Sequence, residues 1–304
     1  MIDRFGVQTP TRNGLALVMP APTIITFRKP QERVLFDHDR NANPFFHLME
    51  ALWMIAGRND VDFVKQFNKQ MYTYSDDGKV FNGAYGYRWR QHFGYDQVAR
   101  ACDMLSNNPQ DRRAVLTMWD AHIDLGSQSL DIPCNQQMMM RVDTGELQML
   151  TTNRSNDAIW GLLGANAVHL TILQEYMAAR IGVPMGCWTH VSNNLHVYDH
   201  HWPLLQGIKA EPCHEWIEPP APSPLVDDWR LFDKDCQDLC NGKLGYFNEP
   251  FFNNTVAPMI LSWHAWKDGH ANEAQFKASC IKAADWRAAS MDWLQRARER
   301  KNAN

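Results

Sequence analysis

The amino-acid sequence predicts an α+β domain with a C-terminal helical extension. Short apolar runs of strand type are interspersed with segments whose apolar residues recur at helical spacing. Residues 216–224 (Trp-Ile-Glu-Pro-Pro-Ala-Pro-Ser-Pro) form a proline-rich connector, and beyond it the composition shifts to Trp, Ala, Lys and Arg. With 304 residues, 45% of them hydrophobic, the chain can bury one large core or two ordinary ones.

The elements follow in chain order. Residues 44–70 read as one helix, opened by Pro44 and carrying Phe45, Leu48, Leu52 and Ile55 at helical spacing. A helix over roughly 95–106 ends at Asn108-Pro109, and residues 114–119 read as a buried strand. Residues 138–142 and 147–152 flank Asp143-Thr144-Gly145, which predicts a β-hairpin. Residues 165–181 form a long apolar helix ending near Gly182. Residues 274–300 read as a last helix with Trp286 and Trp293 on one face, a stripe expected to pack onto the core.

Charged residues make up 21% and the net charge is -4, so bulk electrostatics do not favour nucleic acid as a partner. An anionic substrate needs a local arginine cluster instead. Met1-Ile2-Asp3-Arg4 has no apolar run behind it, and no apolar stretch is long enough for a membrane span. The seven cysteines are scattered and odd in number, which argues against a disulfide scaffold and for a reducing cytoplasm. Cys236 and Cys240, with Cys213 and His214, could form half a zinc site, but the spacing is loose and no metal is expected.

Cys134 stands just before a predicted strand. A lone cysteine is usually inert core filler, so its company decides. Arg154 lies one hairpin away, where a guanidinium favours a thiolate. Arg112 and Arg113 open a strand; such pairs are often surface charge, yet they also suit a phosphate. His196 and Tyr198 alternate onto one strand face and could hold a sugar hydroxyl. Glu50 on an apolar helix is either an edge residue or a buried acid with a raised pKa, suited to proton transfer.

These segments resemble, in order, the motifs of the thymidylate synthase and pyrimidine hydroxymethylase superfamily, in a phage-type form. Residues 50–57 resemble its catalytic-glutamate helix, which includes Trp53. Residues 82–90, with Tyr85, resemble its Tyr-Gly-x-x-Trp-Arg segment. Residues 108–113 are similar to its double-arginine motif, and Pro133-Cys134 to its nucleophile. Residues 154–157 resemble its Arg-Ser-x-Asp loop, 196–198 its His-x-Tyr clamp, and 12–14 its N-terminal arginine loop. The match spans about residues 10–205, and no part after about 210 resembles the family.

The resemblance implies a large mixed-sheet sandwich, with a catalytic core over 1–215 and the connector and extension over 216–304 packed on it. It implies a thiolate, Cys134, adding to carbon 6 of a pyrimidine nucleotide monophosphate, so that carbon 5 attacks the methylene of 5,10-methylenetetrahydrofolate. Glu50 would relay protons, with Tyr85, Asp131 and Asn135 beside the reacting centre. Arg12, Arg154 and Ser155 would hold the phosphate, joined by Arg112 and Arg113 from the partner of an obligate homodimer. His196 and Tyr198 would hold the ribose, and Asp157, Met71 and Trp53 would meet the folate. The implied location is the cytoplasm, that of a host if the source is a phage.

Two products are open. A synthase passes a hydride and makes a methyl group; a hydroxymethylase lets water attack, which needs a polar group to orient it. This chain departs from the synthase pattern at Asp131 (for Leu), Asn135 (for His), Met71 (for Trp), Asn194 (for Asp) and Asn156, and ends in a charged helix in place of an apolar tail. These departures lean to hydroxymethylation, with harmless substitution in a true synthase as the alternative. Asn166 lies one residue later than the family's base-reading position; read as an insertion, it supplies donor and acceptor to uracil and favours dUMP over dCMP. An inactive nucleotide-binding homologue is the non-enzymatic alternative, disfavoured by Cys134, Glu50 and the arginines.

Overall fold

The computed structural model describes residues 1–11, 13–207 and 220–303. Nine strands are named in chain order: β1 (Val7–Thr11), β2 (Gly14–Val18), β3 (Thr23–Phe27), β4 (Val115–Thr117), β5 (Asn135–Asp143), β6 (Glu146–Asn153), β7 (Asn156–Asp157), β8 (Met185–Ser192) and β9 (Leu195–Tyr198). They form a four-stranded sheet, β1-β2-β9-β7, and a five-stranded sheet, β3-β8-β6-β5-β4. Both are mixed: β6 runs parallel to β8 and β7 parallel to β9, and the other pairs are antiparallel. The hairpin β5–β6 turns at Thr144 and Gly145, both at positive φ, as a tight two-residue turn requires.

The main helices are α1 (Pro44–Ile55), α2 (Gln97–Asn107), α3 (Asn166–Ile181), α4 (Trp229–Cys240), α5 (Ala257–Lys267), α6 (Ala271–Ser279) and α7 (Ala284–Ala303). Helix α3 covers the inner face of the five-stranded sheet. Its buried Gln174 donates to the carbonyls of Leu147, Gly186 and Cys187, tying helix to strands. Helix α1 packs on α3, and Asn43 caps α1 by accepting from the Phe46 amide.

Two expected helices are broken. The segment 44–70 stops at Ile55 because Gly57 takes φ +70°, a left-handed turn that sits against Arg90 Cβ. Asp60 then caps a separate short helix, Val61–Val64. The segment 274–300 is two helices, α6 and α7. The link at 280–283 turns the chain so that Ile281 and Ala283 plug the core, and the Arg287 guanidinium ties back to the Ile281 carbonyl.

Helices α4–α7 share one apolar core with the rest of the chain. Gln237 donates to the Ala56 carbonyl and the Trp263 indole to the Gln66 carbonyl. Trp286 is buried, and Trp293 packs against Phe45, Trp263 and Trp266. No helix among the described residues is long and apolar enough to cross a membrane.

Candidate active site

The region around Cys134 is built by a kink in the hairpin. Asn135 pairs with Asn153, but Gln137 already pairs with Thr152, so the ladder shifts register just after Cys134. Such bulges re-aim side chains next to functional sites. Arg154 locks this corner: its amide donates to the Cys134 carbonyl, while Nε and Nη2 donate to the Pro133 and Ile132 carbonyls, both at 2.9 Å. The guanidinium is thereby fixed against the loop that carries the sulfur. Ser155 follows in the turn, half-buried.

Tyr85 approaches from the other side because Gly86 lies flat on α1. A Cβ at Gly86 would stand 2.1 Å from the Met54 carbonyl oxygen, so only glycine allows the contact. The Asn135 amide donates to the Tyr85 hydroxyl at 3.3 Å. Burial, followed by the charge of the Cys134 thiolate, pushes the Tyr85 phenol above its ordinary range. Asp131 Oδ2 accepts from the Gly83 amide at 2.7 Å, pinning the Tyr85 segment to the nucleophile loop. Burial raises the Asp131 pKa.

Asn135 is fully buried, and its Oδ1 has no hydrogen-bond partner among the described residues. Its Nδ2 donates to Asn166 Oδ1, and Asn166 Nδ2 donates to Asn156 Oδ1. The turn before α3, Ala158–Ala165, is wound as a π-helix and kinks at Gly164. A π-turn is how a helix absorbs one extra residue, so the geometry fits an insertion that leaves Asn166 in the helical register.

A cavity of about 930 Å³ lies between α1, the 68–74 turn, the start of the π-helix and β9. Glu50, Met71, Asp157 and Tyr198 line it, with His47, Arg40 and Trp293. Asp157 Oδ1 caps the π-helix by accepting from the Ile159 and Trp160 amides. Tyr198 stacks edge-on to His196 and receives a hydrogen bond from Asn13. Glu50 is buried, which pushes its pKa up to about 8, so it is protonated at neutral pH. Burial lowers His47 and His169 to about 3, and both are neutral. Arg40 is buried, stacked over Trp160, and lowered to about 10, chiefly by desolvation.

Other expected contacts fall elsewhere. Trp53 is buried in the core with its indole N–H on Asp60, so it is not part of the cavity wall assigned to the folate. Arg112 and Arg113 sit on the outer side of the five-stranded sheet, and Arg113, largely exposed, is paired with Asp111 at 2.6 Å. They do not line this protomer's cavity. Arg12, Cys213 and His214 lie outside the described residues. His47, His169, Arg40 and Trp293 were not anticipated. His47 stands three residues before Glu50 and His169 three after Asn166, a one-face spacing that could have revealed them.

The thymidylate synthase family model matches residues 39–215, more than half of the chain. The chain belongs to the thymidylate synthase family. A deoxyuridylate hydroxymethyltransferase of Pseudomonas phage M6 is 41% identical over 96% of this chain and 88% of its own length. One of Bacillus phage SP01 is 37% identical over 58% of this chain; there the chain spans about half of that protein. The structure of thymidylate synthase from T4 phage superposes with a TM-score of 0.58 at 20% identity, covering 69% of this chain and 78% of that one, a likeness of fold. As a family member the chain is a one-carbon transferase.

Proposed function

We propose that this enzyme transfers a one-carbon unit from 5,10-methylenetetrahydrofolate to carbon 5 of dUMP and releases 5-hydroxymethyl-dUMP. The observation that carries the reading is the amide chain Asn135–Asn166–Asn156, which begins at the residue after Cys134, beside a loop that Arg154 locks. Asn166 supplies the donor and acceptor that a uracil edge needs. The likeness to the phage M6 protein over nearly the whole chain supports the same product.

Cys134 Sγ adds to carbon 6 and leaves at the end. The folate supplies the methylene carbon. Asp157, Met71, Arg40 and the cavity around Glu50 have the size and mixed polarity for a pterin with an anionic tail. His196 and Tyr198 meet the ribose, and Arg154 and Ser155 the phosphate. The outer sheet face exposes Ile24, Val115 and Met139 beside Arg112, which supports a homodimer that lends Arg112 and Arg113 to the partner's site.

Walls that carry His47 and Glu50 favour a held water over hydride transfer. Mass spectrometry of the product from dUMP tests the reading. A hydroxymethyl adduct with no dihydrofolate formed is expected; a methyl adduct with dihydrofolate overturns it.

A further inference from the structure

We propose that His169 is a positioning residue for Glu50, and that through Glu50 it controls the water that completes hydroxymethylation. The inference rests on the function proposed above. It starts from helix spacing. His47 and Glu50 share one face of α1, Asn166 and His169 one face of α3, and the packing of these helices brings the two faces together.

His169 is only 5% exposed. One of its ring nitrogens hydrogen-bonds the backbone of His47 in a way that favours the protonated ring, so that nitrogen donates to the carbonyl. In a neutral imidazole the other nitrogen is then an acceptor. That nitrogen, Nε2, lies 3.2 Å from Glu50 Oε2. Among the described residues Nε2 makes no hydrogen bond. A buried acceptor with no partner is destabilising, and folds rarely retain one without use.

Glu50 holds its proton at neutral pH and His169 does not. A small rotation of the carboxyl aligns the acid O–H with Nε2. Oε2 is then committed to His169, and Oε1 is the oxygen left to face the cavity and hold a water.

The chemistry balances around this arrangement. Two protons leave with the folate nitrogens, one from carbon 5 and one from Glu50, whose carboxyl turns its O–H from Nε2 into the cavity to give it up and is left as a carboxylate. The water oxygen bonds to the exocyclic methylene carbon of the nucleotide. The π pair of the exocyclic double bond moves to form the C5–C6 double bond and expels Cys134 Sγ as thiolate. Glu50 takes the water's proton on Oε1, and a half-turn of the carboxyl returns that O–H to His169 Nε2. The enzyme ends as it began.

The test uses the full chain, with His169→Leu to remove the acceptor and His169→Gln to return one through its amide oxygen. With 5-tritiated dUMP and methylenetetrahydrofolate, His169→Leu should release tritium within about threefold of wild type while hydroxymethyl product falls at least about tenfold. An added thiol should then capture the methylene as a thioether, and His169→Gln should recover most of the product. Parallel loss of tritium release and product, or loss of neither, overturns the assignment. Nitrogen NMR of the unliganded protein gives a second reading: the Nε2 signal should be that of an acceptor and should shift near pH 8 as Glu50 ionises. A signal unchanged through that range also overturns it. If wild-type enzyme makes no hydroxymethyl product, the proposed function fails, while the NMR reading still judges the contact between His169 and Glu50.

Discussion

Asn135, the residue after the nucleophile, donates from Nδ2 to Oδ1 of Asn166 across 3.4 Å. The strand that carries the sulfur and the helix expected to read the base are therefore coupled through a single pair of amides. Asn166 is pinned on its far side as well, because one N–H of its Nδ2 goes to Asn156 at 3.2 Å, leaving the second N–H for a base.

Asn166→Asp removes the donor at this slot and presents two acceptors, the complement of a cytosine amino group. The ratio of kcat/KM for dCMP over dUMP should rise at least about tenfold, equivalent to about 1.4 kcal/mol. Competition assays with the two nucleotides measure it. An unchanged ratio would assign base choice to another residue.

Cys134→Ser should lower kcat by at least about a thousandfold, because a serine hydroxyl does not ionise at neutral pH as a thiol can. Calorimetry should still register nucleotide binding, since the Arg154 bonds run to backbone carbonyls of residues 132 and 133. Normal turnover in this variant would dismiss the covalent route.

Glu50→Gln should be inactive and more stable. An acid whose folded pKa lies above its unfolded value stabilises the fold fully only below the unfolded value, and that contribution is lost as pH rises toward the folded one. For Glu50 the window runs from the ordinary value of 4.5 to about 8. At about 1.4 kcal/mol per pH unit, the wild type forfeits roughly 3 kcal/mol by pH 7. Urea titrations should show the variant ahead at pH 7 by about 1–3 kcal/mol and level with wild type at pH 4. Equal stability at both pH values would show that Glu50 is ionised in the fold.

Two inactive proteins should revive each other. A chain carrying Arg112→Ala with Arg113→Ala lacks the arginines to lend, and Cys134→Ser lacks the sulfur. Random mixing gives half hybrids with one complete site each, so activity should return to about one quarter of wild type. No recovery on mixing would place both arginines in their own protomer's chemistry.

The sequence was legible where local rules decide. The hairpin around Thr144 and Gly145, the helix end at Gly182 and the shared face of His196 and Tyr198 follow from turn chemistry and strand alternation. It misled where one residue interrupts a periodic run. Phe63 and Phe67 continue the apolar pattern of α1, and nothing in the period reveals that Gly57 has already turned the chain. Trp53 shows the same limit in the site: a residue three from Glu50 can share its helix and still face Phe81 in the core. The spacing of His169 from Asn166 marks it as facing the same side, but its contact with Glu50, far away along the chain, comes only from helix packing, which brings the two within 3.2 Å.

Trp293 on the final helix and Asn13 beside the first hairpin line the same cavity. Arg296, one turn beyond Trp293, grips the His38 carbonyl and Asn41 just ahead of α1. The pocket is thus closed by residues that leave the ribosome first and residues that leave it near the end. A nascent chain cannot complete the walls of this cavity before synthesis reaches that last helix, and a fragment ending at α3 would lack the wall that Trp293 supplies.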